Sequence, residues 1–213
     1  MGSCAILASG TGSNARAIAR HLPERHEVAA IISDRRDSGA VTWARNAGYT
    51  TIHVHYRDRS REDAEDELAN TISELRADLV VLAGFMRILS ASFVDRFPGR
   101  IVNIHPSLLP AHAGLHAIER SWESDDRRAG VSVHWVDHGV DTGPTIAQVS
   151  FSKGAATDFD DFEQHIHAIE HAVYPVVVTG LLDNIDTPRS ESEVAGRTQL
   201  ENAIPDWATL EVP

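Results

Sequence analysis

Runs of apolar residues alternate with polar segments of helical spacing along most of the chain. The runs predict five strands, at Cys4–Ala8, Val28–Ile32, Thr51–Val54, Leu79–Leu82 and Ile101–Ile104. Helical spacing and helix-starting residues predict four helices between the strands. The first follows the turn Ser9–Asn14 and ends at about Arg20, and the others cover Gly39–Ala47, Arg61–Leu75 and Ser90 to near Phe97. Because the strands are uninterrupted apolar runs, we expect a parallel sheet covered by helices on both faces.

The pattern of apolar positions changes after residue 130. Val131–Val136 alternates apolar and polar residues, and Thr145–Phe151 is predicted as another strand. The connection between these two strands, Asp137–Pro144, is too short for a helical crossover. We therefore predict an antiparallel pair late in the chain.

The last part of the chain is predicted as two helices and a polar extension. Asp160–His171 has helical spacing, and Pro175 is suited to start a second helix that ends near Leu182. From Asp183 onward the chain is polar and rich in Ser, Glu and Pro, as in segments that are disordered or lie on a surface. We predict one α/β domain, residues 1–182, followed by an extension, residues 183–213.

Composition narrows the class of protein. The 213 residues are 42% hydrophobic, enough for the core of one domain, and no run approaches the roughly 20 apolar residues of a membrane span. The N-terminus lacks the pattern of a signal peptide, and a single cysteine, Cys4, allows no disulfide within the chain. We expect a cytoplasmic protein. The net charge of −12 argues against a nucleic-acid partner.

A glycine-rich turn lies between the first strand and the first helix. Ser9–Asn14 has the composition that lets a backbone approach an anion at a helix N-terminus. Gly10, Gly12 and Ala15 also fit a loose dinucleotide fingerprint, with Asp34-Arg35-Arg36 at the end of the second strand where a cofactor ribose would lie. A phosphate loop, an NADP-dependent oxidoreductase and a plain tight turn all remain open from these residues.

The segment Ile101–Pro110 carries the most specific chemistry. Asn103 and His105 are two apart in a strand, so both side chains project to the same face at its C-terminal end. An amide donor beside a titratable ring suits chemistry that builds negative charge on a carbonyl oxygen. Asp141, in a glycine-rich connection, is the carboxylate expected to orient the ring or carry a proton. The sequence therefore predicts an enzyme of acyl-type transfer.

The histidines raise the alternative of a metal site. The chain has 12 of them, with His53 and His55 on one strand face and His165, His167 and His171 on one helix. No Cys or well-placed acidic residue completes a ligand set. We expect no metal.

These motifs together resemble the glycinamide ribonucleotide formyltransferase family. The resemblance runs from about Ile6 to Leu182 and rests on Ser9–Asn14, Ala83–Ser90, Asn103–Pro110, Gly114–His116, Ser132–His134, Val140–Pro144 and Glu170–Pro175. It implies a single-domain Rossmann-like formyltransferase fold. It also implies two small-molecule substrates, glycinamide ribonucleotide and the co-substrate 10-formyltetrahydrofolate, joined by direct attack of the amine through a tetrahedral intermediate in purine biosynthesis.

The resemblance assigns roles to residues. Asn103, His105 and Asp141 would be catalytic, with His134 in support. Gly12, Ser13 and Asn14 would hold the substrate phosphate, and Glu170 would face the amine side. The folate would contact Arg61, Met86, Arg87, Ile88, Leu89, Asp137, His138, Gly139 and Val140.

Several related activities share parts of this pattern. Formyltetrahydrofolate deformylase and sugar N-formyltransferases share its core chemistry, and methionyl-tRNA formyltransferase is disfavoured because the acidic tail is too short for a tRNA-binding domain. The sequence leaves open whether the protein is a monomer or a homodimer. The charged end of the second strand and the long tail depart from the family pattern.

Overall fold

The computed structural model describes residues 1–185 and 197–211. Its strands are β1 (Gly2–Leu7), β2 (His26–Ser33), β3 (Thr51–His53), β4 (Leu79–Leu82), β5 (Ile101–His105), β6 (Arg128–Trp135), β7 (Thr145–Ser152) and β8 (Thr209–Glu211). Its α-helices are α1 (Ser13–His21), α2 (Gly39–Asn46), α3 (Arg61–Glu74), α4 (Ala91–Asp95), α5 (Ala117–Glu123), α6 (Phe159–Asp183) and α7 (Arg197–Ala203).

The described strands form one sheet in the order β3-β2-β1-β4-β5-β6-β7-β8. The first five strands are parallel, and β6, β7 and β8 each run antiparallel to the preceding neighbour in the sheet. The predicted α/β class, with a mostly parallel sheet and a late antiparallel pair, is confirmed. The antiparallel part is larger than predicted because β8 adds to it.

The direction of winding reverses between β1 and β4. The chain proceeds from β1 outward to β3 and then returns to place β4 on the other side of β1. The loops that leave β1 and β4 meet there, where the N–H of Ser9 donates to the carbonyl oxygen of Gly84 at 3.0 Å. Open α/β sheets bind ligands in the crevice at such a switch point.

Four helices begin at a side chain that caps the first turn. Ser38, Ser60, Ser90 and Asp158 each accept a hydrogen bond from the backbone N–H three residues later. Such a cap replaces one of the bonds that a helix start lacks, which fixes where each helix begins. The loops ahead of these helices are therefore held at defined lengths.

Each face of the sheet has its own apolar core. On one face, Ile6, Val81 and Tyr174 belong to a cluster that includes α1, α2 and α6. On the other face, Leu7 and Phe93 belong to a cluster that includes α3 and α4. Consecutive residues of β1 point to opposite faces and are all buried, which explains the uninterrupted apolar runs in the sequence.

The prediction of two helices around Pro175 is wrong. One continuous helix, α6, contains Pro175, which lacks the N–H that would bond to the carbonyl of His171. Tyr174 and Val176 on either side are buried, so packing against the sheet offsets the missing bond. Helix α5 was not predicted from the sequence.

The C-terminal segment packs on the antiparallel edge of the sheet. Strand β8 pairs with β7, Leu200 is buried, and the ring of Trp207 lies 4.4 Å from that of His165. Part of the predicted extension lies outside the described residues, and the proposed boundary at residue 182 stays a prediction. Across residues 1–185 and 197–211, no helix is both long enough and apolar enough to cross a membrane.

Candidate active site

The neighbouring strands β5 and β6 bring the side-chain amide of Asn103 beside the ring of His134. Asn103 lies opposite His134 in the antiparallel pairing of β5 and β6. Its Nδ2 lies 3.2 Å from Nε2 of His134. His105, two residues further along β5, projects from the same face. The site is therefore built on two rigid strands in the middle of the sheet.

Asp141 reaches this group from the connection between β6 and β7. Its backbone is left-handed, with φ of 55°, a conformation that Asp adopts more readily than most residues. Gly143 permits the tight connection, since a Cβ there would lie 1.8 Å from the carbonyl oxygen of Trp135. The backbone N–H of Gly114 donates to Oδ2 of Asp141 at 2.9 Å and fixes the carboxylate.

Three side chains converge on that carboxylate. Oδ2 of Asp141 lies 3.3 Å from Nδ1 of His105. Its Oδ1 lies 3.5 Å from Nδ2 of Asn103 and 3.6 Å from Nε2 of His134. The structure thus brings together the three predicted catalytic residues and the predicted supporting histidine.

Hydrogen bonding defines the tautomer of His134. Its Nδ1 lies 2.9 Å from the carbonyl oxygen of Trp135, which can only accept, so Nδ1 carries the proton. Nε2 is then the acceptor for the amide of Asn103. This arrangement orients the amide with its NH₂ group toward His134 and Asp141.

His105 lies between two acceptors. Its Nε2 contacts the carbonyl oxygen of His112 at 3.1 Å, and its Nδ1 faces Asp141. Burial, the largest cause, lowers the pKa of His105, while Asp141 and the backbone bond to His112 raise it in opposition. A neutral ring carries one proton and can satisfy only one of the two contacts. The ring of His105 is therefore placed to take up a second proton, which would satisfy both contacts.

Asp141 remains ionised at neutral pH. Desolvation, the largest single cause, raises its pKa, but the hydrogen bond that a protonated His134 donates, the N–H of Gly114 and the charge of the protonated imidazoles outweigh it. Together they hold the pKa of Asp141 at about 2. A partly buried carboxylate with its charge retained can stabilise an imidazolium that forms next to it.

The loop before α1 has the geometry of an anion site. Gly12 starts the helix with φ of 78°, and a Cβ there would lie 2.6 Å from Cα of Ala40. No side chain of residues 1–185 or 197–211 caps the helix, so N–H groups of its first turn are available to a ligand. The buried Oδ1 of Asn14 has no hydrogen-bond partner among the described residues. Ser13 and Asn14 line the same cavity as Asn103.

Helix α6 presents an acid and a histidine to the same cavity. Glu170 is buried, and its Oε2 lies 2.9 Å from Nδ1 of His167. The hydrogen bond with Glu170 is the largest cause that raises the pKa of His167. From the sequence, His167 was considered only as a metal ligand, although its spacing of three from Glu170 indicates that the two side chains can meet on one helix face.

The loop after β4 forms another wall. Met86 and Ile88 are exposed apolar side chains, whereas Leu89 is buried. Arg87 donates to Asp34 at 2.7 Å, and its guanidinium lies 4.0 Å from the ring centre of Tyr56. This loop therefore offers apolar surface to a flat ligand while its arginine is held to the side.

One cavity of about 580 Å³ unites these groups. Most predicted site residues line it: Gly12, Ser13, Asn14, Met86, Arg87, Ile88, Leu89, Asn103, His105, His134, Asp137, Gly139, Val140, Asp141 and Glu170. Two do not. Arg61 lies behind the loop, bonded to Glu65 and to the carbonyl of Ile88, and the exposed His138 pairs with Asp95.

Comparison with known proteins identifies the family of this chain. Residues 3–178 match the formyl transferase family. The chain belongs to the formyl transferase family. The phosphoribosylglycinamide formyltransferase of Escherichia coli (strain K12) is 40% identical over 182 residues, 84% of this chain and 86% of that protein. The trifunctional purine biosynthetic protein adenosine-3 of Drosophila melanogaster is 38% identical over 84% of this chain, which spans only 14% of that protein.

Solved structures of the family share the fold. The crystal structure of phosphoribosylglycinamide formyltransferase from Streptococcus pneumoniae TIGR4 is 40% identical, with a TM-score of 0.80, over 85% of this chain and 99% of that one. Glycinamide ribonucleotide transformylase 1 from Symbiobacterium toebii has a TM-score of 0.80 at 36% identity, over 86% of this chain and 89% of that one. The predicted family is therefore confirmed.

Among the residues that the structure describes, no group of three or more His, Cys, Asp or Glu side chains is placed to hold a metal ion. His53 and His55 lie with their ring centres 5.9 Å apart, and those of His167 and His171 are 6.3 Å apart. The roles assigned to individual site residues stay predictions.

Proposed function

We propose that this chain transfers the formyl group of 10-formyltetrahydrofolate to the amine of glycinamide ribonucleotide. The observation that carries the proposal is the convergence of Asn103, His105 and Asp141 in a cavity that also contains the anion loop before α1. Formyl transfer needs an oxyanion donor, a proton acceptor and a place for a phosphorylated amine, and one cavity supplies all three.

The substrates divide the cavity between its two ends. The phosphate of the ribonucleotide binds at Gly12, Ser13 and Asn14, where N–H groups and the helix dipole favour negative charge. Glu170 lies on the same side and interacts with the glycinamide end. The pterin lies against the apolar side chains of Met86, Ile88, Leu89 and Val140, which places its formyl group near β5.

Asn103 stabilises the oxyanion of the tetrahedral intermediate. One of its N–H bonds points to His134 at 3.2 Å, and the other makes the longer contact of 3.5 Å with Asp141. The longer contact is the weaker, so that N–H is the one to turn to the developing oxyanion. An oxyanion donor of this kind typically contributes about 10²–10³ in turnover.

His105 and Asp141 manage the proton. The attacking amine loses a proton on bond formation, and the folate nitrogen gains one as it leaves. Neutral His105 beside ionised Asp141 is short of one proton, so it accepts that of the amine and both ring contacts become hydrogen bonds. The proton then passes to the leaving nitrogen, which needs no covalent enzyme intermediate.

Release of tetrahydrofolate tests the proposal. Purified protein with 10-formyltetrahydrofolate should release tetrahydrofolate only when glycinamide ribonucleotide is present, and Asn103→Ala should lower turnover by about 10²–10³ without unfolding the protein. Tetrahydrofolate release at the same rate with and without the ribonucleotide would instead support a deformylase. The cytoplasmic location and the choice between monomer and homodimer remain predictions.

A further inference from the structure

The loop between β5 and α5 contacts both members of the proton-handling pair with its backbone. We name residues 112–114 the strap. The carbonyl oxygen of His112 lies 3.1 Å from Nε2 of His105, and the N–H of Gly114 donates to Oδ2 of Asp141 at 2.9 Å. His105 and Asp141 in turn face each other at 3.3 Å. The position of the strap therefore decides how the imidazole and the carboxylate lie relative to each other.

Arg120, on helix α5, binds the strap from its outer side. Its Nη2 donates to the carbonyl oxygens of His112 and Ala113 at 2.5 and 2.6 Å. Nη2 carries two N–H groups, so each carbonyl can receive one. Hydrogen bonds from a charged donor are roughly twice as strong as those between neutral groups. Arg120 is exposed and lies outside the active-site cavity, so it acts on the reaction only through the strap.

Arg120 binds the same peptide unit that contacts the catalytic carboxylate. The carbonyl of Ala113 and the N–H of Gly114 belong to one peptide unit. Arg120 donates to the carbonyl end of this unit, and Asp141 accepts from its N–H end. A donor at the carbonyl polarises the peptide and strengthens the bond that its N–H makes. Arg120 therefore fixes the strap and also strengthens the contact that holds Asp141.

The backbone of the strap depends on contacts of this kind. His112 lies in the left-handed region with φ of 57°, and Gly114 has φ of 84°. A residue other than glycine keeps such a conformation only where its surroundings fix it. The ring of His112 provides one attachment, since its Nε2 lies 2.9 Å from Oδ2 of Asp126. Arg120 provides the other, and it binds the peptide groups of the strap directly.

We propose that Arg120 is a positioning residue for formyl transfer, acting through the strap on His105 and Asp141. This inference rests on the proposed function, because it takes those two residues as the proton carriers. Arg120 contacts neither of them itself. It sets the geometry in which the ring accepts the proton of the amine beside the carboxylate.

Steady-state kinetics of two substitutions at Arg120 test the inference. Arg120→Met keeps a long side chain without charge or donors, and kcat should fall about tenfold while KM for each substrate stays within about twofold, because the defect lies in the alignment of the proton pair. Arg120→Lys can donate to both carbonyls and should restore kcat to within about threefold of wild type. Circular dichroism establishes that each variant is folded.

A matched control and a double-mutant cycle separate positioning from general effects. Arg100 is exposed and lies outside the cavity, so Arg100→Met removes the same charge and should leave kcat within about twofold of wild type. In an Asp141→Asn background, Arg120→Met should lower kcat by less than about threefold, since the interaction that it supports is already lost. An equal loss in both backgrounds, wild-type kcat in Arg120→Met, or no restoration by lysine overturns the inference.

The amide resonance of Gly114 reports on the strap without substrates. In ¹H–¹⁵N NMR spectra of the free protein, the amide proton of Gly114 should move upfield in Arg120→Met, because its bond to Asp141 weakens. It should keep its wild-type position in Arg120→Lys and Arg100→Met. An unchanged resonance in Arg120→Met, in a protein that transfers formyl, would reject the role of Arg120 alone. The expected shift in a protein without formyl transfer would reject the proposed reaction.

Discussion

Replacing Asp141 by asparagine removes one negative charge at nearly constant shape. The carboxylate is 13% exposed and contacts Asn103, His105, His134 and the N–H of Gly114. Asparagine can still accept from Gly114 through its oxygen, but it cannot stabilise a protonated ring. The substitution therefore tests charge rather than packing.

The pKa of Asp141 sets the magnitude of the loss in stability. A fall from 3.8 to about 2 on folding corresponds to roughly 2 to 3 kcal/mol at pH 7. Because the folded pKa is depressed, this contribution is complete above pH 3.8 and is lost as pH falls through about 2. The urea-unfolding difference between wild type and Asp141→Asn should fall by about half between pH 5 and pH 3, where the carboxylate takes up its proton in the unfolded chain.

In Asp141→Asn, turnover should fall much further than the loss of folded protein alone would explain. Without the carboxylate, His105 loses the group that stabilises its protonated form, and we expect kcat for formyl transfer to drop by about 10²–10⁴. Steady-state assays should be run at a temperature where circular dichroism shows both proteins folded. KM for either substrate should change less than kcat, because the defect lies in proton transfer.

A distant aspartate provides the matched control. Asp183 also has a pKa of about 2, held there chiefly by its hydrogen bond with Arg25, with burial opposing and His26 assisting, but it lies outside the cavity. Asp183→Asn should leave kcat within twofold of wild type. Near-normal turnover in Asp141→Asn, or an equal loss in Asp183→Asn, would refute the assignment of Asp141 to proton handling.

Three further substitutions test other parts of the account. Gly12→Ala should abolish ribonucleotide binding and lower stability, because its Cβ would lie 2.6 Å from Cα of Ala40; calorimetric affinity near that of wild type would contradict this. Glu170→Gln should move the NMR titration of the His167 ring to lower pH, because the carboxylate raises that pKa, and an unchanged midpoint would exclude the pair. Tyr174→Phe should cost about 1–2 kcal/mol in urea unfolding, since the buried hydroxyl contacts carbonyls of both β4 and β5.

The elements that are continuous in sequence were the most predictable. Apolar runs identified the parallel strands because both faces of the sheet are covered, and the serine caps set the starts of α3 and α4. Pro175 misled because helix propensity is a local preference, whereas the burial of its neighbours is decided by the tertiary fold. Strand β8 was missed because its pairing with β7 depends on a partner 60 residues away.

In the candidate site, too, what depends on local sequence was predictable and what depends on tertiary contacts was not. Asn103 and His105 were predictable as a pair because two residues of one strand share a face. Their relation to Asp141 depends on a left-handed backbone and on the N–H of Gly114, which no local pattern specifies. Arg61 satisfies Glu65 rather than lining the cavity, since a buried carboxylate needs a partner.

The fate of the formyl group tests the central claim most directly. The protein is incubated with 10-formyltetrahydrofolate labelled with ¹³C in the formyl carbon and with glycinamide ribonucleotide, and the products are resolved by mass spectrometry. The account predicts that the label appears on the ribonucleotide amine, and that Asn103→Ala slows its appearance by about 10²–10³. Label recovered as formate, with the ribonucleotide unchanged, would contradict it.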